Sequence, residues 1–358
     1  MTDRRRNIIK KTILSVLAVC MLVPLILAGC GNTEGAAGFV NVYNWGEFID
    51  TDVLGIFEKE TGIKVNYFEY QNNEEIYSLL RMGSANADVV IPSDYMVGRL
   101  IEEGMLEKLD FSNIPNYSLI DTRFKDLDYD PQGLYSVAYM TGTVGLIYNS
   151  SVIADDITGW GALFDSRYEG QILMFDNPRD AFGIALKYLG YSQNTTSEDE
   201  IREAFDLLVL QKPLLHAYVM DQIFFKLESG EAAIGPYYAG DYLIMHEQNP
   251  DLVFVRPIEG SNFFVDAMCI PKGAGNKTNA EIFIDFMSRT DIALMNMEEI
   301  MYATANYEAA ALFADMIEPW EYEIIFASDA VLAKCEVFTH LPAETLLLYD
   351  QLWVELKR

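Results

Sequence analysis

From Gly38 onward the apolar residues switch repeatedly between the period of a strand and that of a helix. That alternation restricts the chain to architectures in which helices cover a parallel sheet on both faces. Val40-Asn41-Val42-Tyr43 reads as a short strand, and residues 51–60 carry Val53, Leu54, Ile56 and Phe57 on one helical face. Residues 63–68 form a second strand. Asn72 followed by Glu75 has the spacing of a capping box opening a helix over 74–82. Asp88-Val89-Val90-Ile91 is a buried-type strand ended by Pro92-Ser93, and the next helix carries Val97, Leu100, Ile101 and Met105.

Between Leu134 and Tyr148 two β-rich segments meet at Gly142, the expected crossing into a second α/β unit. There, strands are expected at 172–175, 233–235 and 253–256, helices at 181–188 and 198–209, and a further β run at 263–271. Ser197 with Glu200 and Thr278 with Glu281 are further capping boxes, and an all-helical region follows Thr278. The expected domains are 39–142 with about 267–305, and 143–266 with about 306–358. The fold class is α/β with two lobes and a ligand cleft between them. Ligands in such sheets sit beyond the carboxyl ends of the strands, and hinge closure of two lobes is a standard switching mode.

The N-terminus limits where this fold works. Arg4-Arg5-Arg6 and Lys10-Lys11 precede an apolar run from Thr12 to Leu27, which ends in Leu27-Ala28-Gly29-Cys30. A basic start, an apolar stretch and small residues before a cleavage point read as a secretory signal over 1–29. The ending looks like a bacterial lipobox, so Cys30 is expected to be lipidated, with 30–38 as a tether. The run is too short for a membrane span and Pro24 interrupts it. The expected location is outside the cytoplasm, lipid-anchored to the cell membrane.

Without 1–29 the chain has 20 basic and 53 acidic residues, a net charge of about −33. Nucleic acid is therefore not an expected partner, since phosphate binding needs clustered cations. Cationic solutes are favoured by such a field, as is solubility. Of the cysteines beyond Cys30, Cys269 and Cys335 both lie in apolar segments. They read as small apolar packers, with a disulfide between them left open.

The residues at the strand ends are of one kind. Trp45, Glu47 and Phe48 follow the first strand, and Ser93, Asp94 and Tyr95 follow the third. Second-unit strands lead to Asp176, Asn177 and Asp180, to Tyr237-Tyr238, and to Phe264 and Asp266. Among nearby cations only Arg179 accompanies them. Carboxylates neutralise ammonium groups and ring faces cover methylenes while attracting positive charge. The set suits an elongated, aliphatic, multiply charged cation. Trp45 alone could equally be a core aromatic and Asp180 could simply start a helix, but an acid in a buried strand such as Asp266 needs a partner.

Tyr43-Asn44-Trp45 with Glu47, the run Phe57 to Val65, Pro92-Ser93-Asp94-Tyr95, Lys187 to Ser192, Asn194-Thr195-Thr196 and Phe264-Val265-Asp266 occur in that order. Together they resemble the spermidine/putrescine-binding proteins of ABC importers, from about Val40 to the end and most weakly after Tyr307. The resemblance implies a periplasmic-binding-protein-like (type II) fold and a polyamine ligand. It places Trp45, Ser93, Tyr95, Tyr237, Phe264 and Tyr302 in the aromatic and hydroxyl walls. It pairs Asp266 with a central amine, Asp180 with one terminal amine and Glu47 with the other. It also implies a monomer that serves a permease with separate ATPase subunits. The family often has an acid where this chain has Asn177, and tryptophans at Tyr237 and Phe264. Its C-terminal glutamine falls near Phe338. Fewer carboxylates and smaller rings keep putrescine or a related amine beside spermidine.

Three rivals share parts of this pattern. Tyr237-Tyr238 also resembles the tyrosine pair of ferric-iron-binding proteins, although His216, His246 and His340 have no evident place beside it. A hydrolase needs a nucleophile–base pair or a matched acid and base, and no nucleophile elbow, zinc-protease motif or phosphate loop occurs. A sugar binder needs amide and guanidinium donors beside the acids, whereas this set mostly accepts. The expectation is therefore a binding protein, not an enzyme, with no cofactor and no metal.

Overall fold

The structure, a computed structural model, describes residues 38–358. The expected signal segment, the lipidation at Cys30 and nearly all of the tether lie outside the described residues. No described helix is long and apolar enough to cross a membrane.

The first unit runs β1 (Gly38–Trp45), α1 (Asp52–Thr61), β2 (Ile63–Tyr70), α2 (Asn73–Arg81), β3 (Val89–Val90) and α3 (Asp94–Glu102). β1 lies between β2 and β3 with both pairings parallel, as βαβ units require. α1 buries Val53 and Phe57 and stops at Gly62, whose φ of 75° is a left-handed conformation that glycine adopts without strain. At the start of α2, Asn72 accepts from the Glu75 amide at 2.9 Å while Glu75 accepts from the Gln71 amide, close to the expected box. Met105 lies beyond the end of α3.

β4 (Ser136–Asn149) corrects the expectation of two segments meeting at Gly142: it is one strand of 14 residues, all buried. Its first part pairs with β9 (Phe263–Cys269), from Ser136 with Cys269 to Thr143 with Phe263. From Val144 on it pairs with β7 (Ile234–Tyr238) on one side, and from Leu146 with β8 (Leu252–Val255) on the other. β5 (Ile172–Phe175) and β6 (Leu215–Val219) complete the order β2-β1-β3-β9-β4-β7-β5-β6, with β8 and β10 (Ala303–Thr304) pairing β4 off that path. The ladders of β4 with β7, β8, β9 and β10, and of β3 with β9, are antiparallel, whereas β5 pairs with β6 and β7 in parallel. The sheet is thus mixed, not parallel throughout, because β4 runs against its neighbours as it links the halves.

Helices α4 (Pro178–Leu189), α5 (Glu198–Gln211), α6 (Gln222–Glu228) and α7 (Ala239–Gln248) belong to the second half. α8 (Lys277–Met287), α9 (Thr290–Ile300) and α10 (Tyr307–Ala314) follow β9. Thr278 does not open α8 with a capping box. Asn276 precedes the helix, and the Glu281 carboxylate instead accepts from the Asp110 amide and the Asn113 side chain, 2.9 and 2.8 Å away. β6 and β10 had no counterpart in the sequence reading. β10 also interrupts the region expected to be all helical. α10 packs on α9 and β10, and β9 runs unbroken across the 266/267 boundary. α11 (Pro319–Ile325), α12 (Asp329–Leu332) and α13 (Ala343–Lys357) end the chain. Cys269 and Cys335 are free thiols, the first buried.

Candidate ligand-binding site

The strand ends of both halves face one cavity, and all twelve site residues expected from the sequence line it. It holds about 60 Å³ accessible to water. Since one ordered water needs roughly 10–15 Å³ on this measure, the space is a narrow slot.

At the end of β1 the Trp45 indole donates to the Ile91 carbonyl at 2.8 Å, and its ring lies 4.9 Å from Tyr70. Glu47 follows with a φ of 51°, a left-handed conformation uncommon for a residue with a side chain and found at sites the fold over-determines. Phe48 presents its ring edge to Tyr302 at 5.0 Å. Beyond β3, Asp94 accepts from the Tyr95 amide at 2.7 Å and from the Val265 amide at 3.1 Å. Both its oxygens therefore serve the backbone. The Tyr95 hydroxyl donates to Glu74 at 3.0 Å.

In the second half Asn177 caps α4, accepting from the Arg179 and Asp180 amides, and donates to the Asp180 carboxylate at 2.8 Å. Arg179 is buried behind this wall, with Phe338 and Tyr95 ring centroids 4.6 and 5.2 Å from its guanidinium carbon. Asp176 falls outside the cavity, lining a neighbouring depression and pairing with Lys357 at 2.8 Å. The Tyr237 hydroxyl donates to Asp221 at 2.9 Å, and the Tyr302 hydroxyl donates to Asp241 at 2.8 Å. Phe264 and Asp266 project from β9, Phe264 meeting Tyr238 edge-on at 5.4 Å. A Cβ on Gly142 would lie 2.7 Å from the Phe264 ring, and one on Gly240 2.4 Å from the Tyr302 ring. These two glycines make the room in which the rings sit.

The carboxylates form two groups. Burial pushes Asp266 well above the usual carboxylate range, reinforced by the charges of Asp94 and Asp180 and opposed by a hydrogen bond from Ser93. Burial and the charge of Glu74 push Asp180 up to about 7, against the pull of Arg179 and Tyr238. In the second group, burial raises Asp241, helped by the charges of Asp221 and Glu47 and opposed by Tyr302. Tyr238 feels Asp180, Asp266 and Asp241, charges from both groups. Among the described residues, Asp266 Oδ1 is buried without a hydrogen-bond partner. Asn262 Oδ1 in the same wall is likewise unpartnered, and such atoms in a cavity wall accept from a water, a donor or a cation.

Several lining residues escaped the sequence reading: Tyr70, Gln71, Asn73, Met220, Asp221, Phe224, Asp241 and Asn262. Asp221 follows β6, a strand the periodicity missed. Asp241 stands in the first turn of α7, one step beyond the strand-end rule. Tyr238 and Phe338 also face the cavity. The histidines are elsewhere: His216 meets Glu231 at 3.0 Å, His246 the Leu252 carbonyl at 2.9 Å, and His340 faces Glu102 at 3.2 Å. Burial also drives the Tyr237 and Tyr238 hydroxyls well above their ordinary range, against the phenolate form that iron ligation uses.

Residues 54–327 match the Bacterial extracellular solute-binding protein family. The chain is 35% identical over 274 residues to the spermidine/putrescine-binding periplasmic protein of Escherichia coli (strain K12), covering 76% of this chain and 79% of that one. It is 30% identical over 363 residues to the putrescine-binding periplasmic protein SpuD of Pseudomonas aeruginosa, covering 94% and 97%. The solved spermidine/putrescine ABC transporter substrate-binding protein PotD of Streptococcus pneumoniae superposes with a TM-score of 0.74 at 31% identity, covering 90% of this chain and 99% of that one.

Proposed function

This chain belongs to the bacterial extracellular solute-binding proteins, and on that premise we propose that it captures a polyamine, putrescine or spermidine, for an ABC importer. The carrying observation is the buried, unpartnered Asp266 Oδ1 in a slot that Glu47, Asp180, Asp221 and Asp241 also line. In this reading Asp266 pairs with an inner amine, Asp180 with one terminal ammonium and Glu47 with the other. Trp45, Tyr95, Tyr237, Phe264 and Tyr302 cover the methylenes, with cation–π attraction of ~0.5–2 kcal/mol per good contact. Exclusion of water by these rings strengthens each ion pair.

Capture proceeds by closure of two lobes, 39–142 with about 267–305 and 143–266 with about 306–358, around the β4 and β9 crossing. Ligand drives closure only through its preference for the closed form. The loaded protein, anchored outside the cytoplasm through lipid at Cys30 and acting as a monomer, hands the amine to a permease whose ATPase is a separate subunit. It turns over no substrate.

A thermal-shift panel of putrescine, spermidine, spermine, Fe(III) and neutral sugars tests this reading, since a ligand of the folded form raises the melting temperature. Stabilisation by the amines supports it. Stabilisation by iron or sugars with no response to any amine overturns it.

A further inference from the structure

Gly46 and Asp221 stand on opposite sides of the slot, in the loop after β1 and after β6, and they approach closely. A Cβ on Gly46 would lie 2.8 Å from Asp221 Oδ2, nearer than side-chain carbons come to an oxygen. Asp221 directly precedes α6, yet its side chain does not cap that helix. One oxygen instead accepts from the Tyr237 hydroxyl, which leaves Oδ2 over the bare Gly46 backbone. Asp241 is arranged in the same way, one oxygen held by Tyr302. With Glu47, three carboxylates thus converge at one end of the slot without a lysine or arginine lining it. Like charges gathered in a partly buried place are relieved by a proton, as the raised Asp241 shows, or by a cation.

We propose that Asp221 is a specificity-determining ligand residue, a carboxylate that crosses the slot over Gly46 to hold the ammonium at the Glu47 end. This rests on the polyamine reading and deepens it. Glycine at 46 is required by space: any side chain pushes the Asp221 carboxylate aside while leaving every other acid in place. Because Asp221 serves one end of the ligand, it favours a diamine over a monoamine of equal length.

The test is calorimetric titration of putrescine and n-butylamine into the wild-type protein, Asp221→Asn, Gly46→Ala and the double variant. Asp221→Asn is isosteric and keeps an acceptor for Tyr237, so thermal unfolding should stay near wild type. It is expected to weaken putrescine at least about tenfold, as loss of one partner of a desolvated charge pair does, and to narrow the preference over n-butylamine. Gly46→Ala should show a similar loss, and the double variant little more than Asp221→Asn alone, since both act through one carboxylate. Unchanged putrescine affinity in Asp221→Asn, or fully additive losses, overturns the proposal. A wild-type protein that binds neither amine overturns the polyamine reading itself. The Asp221→Asn comparison decides the matter even where Gly46→Ala fails to fold.

Discussion

Asp94 accepts a hydrogen bond from the Val265 amide at 3.1 Å, which ties the first turn of α3 to β9 one residue before Asp266. Two buried acids in one wall therefore do different work. Asp94 holds the amide of its own neighbour Tyr95 and that of the distant Val265, whereas Asp266 keeps Oδ1 unpartnered.

Asp94→Asn should destabilise the fold by about 1–3 kcal/mol, because an amide cannot accept at both positions and leaves a buried N–H unpaired. Asp266→Asn should leave stability near wild type, since burial already favours the neutral carboxyl and the isosteric amide keeps an acceptor for Ser93. It should instead weaken polyamine binding by well more than the ~0–1 kcal/mol of an exposed ion pair. Denaturant unfolding and calorimetry on both variants separate the roles. Unchanged affinity in Asp266→Asn removes that residue from the site.

Asp180 carries a pH signature. Its carboxyl is raised to about 7 in the folded state, against about 3.9 unfolded. The folded chain therefore holds this proton where the unfolded one has lost it. The stability it contributes is present below about pH 4 and lost as pH rises through about 7. Ligand pairing needs the ionised form, so amine affinity should fall as pH drops below about 7 while the ligand-free protein gains stability. Asp180→Asn should flatten both trends. Parallel pH dependence in wild type and variant would remove Asp180 from the mechanism.

Trp45 lines the slot with its indole N–H fixed to the Ile91 carbonyl. Trp160 is buried far along the chain, donating to the Gly260 carbonyl. Putrescine should therefore change the intrinsic fluorescence through Trp45. In Trp45→Phe that change should vanish while calorimetry still detects weakened binding. A retained signal would mean that another tryptophan senses the ligand.

The sequence by itself determined the alternating strands and helices of the first unit, because burial on one face imposes a period readable residue by residue. Trp45, Glu47 and Ser93 were legible as cavity-lining residues as well, since they stand at or just past the ends of β1 and β3, and Asp266 was legible as an acid inside a buried strand. The course of β4 was not: all of its residues are buried, so no alternation marks where its partners change from β9 to β7. Nor could sequence separate Asp94 from Asp266, or bring Asp221 and Asp241 to Glu47. Those outcomes depend on which amide, hydroxyl or bare backbone arrives from segments tens to hundreds of residues away. Only tertiary packing decides such meetings, because a carboxylate's role is set by its neighbours in space.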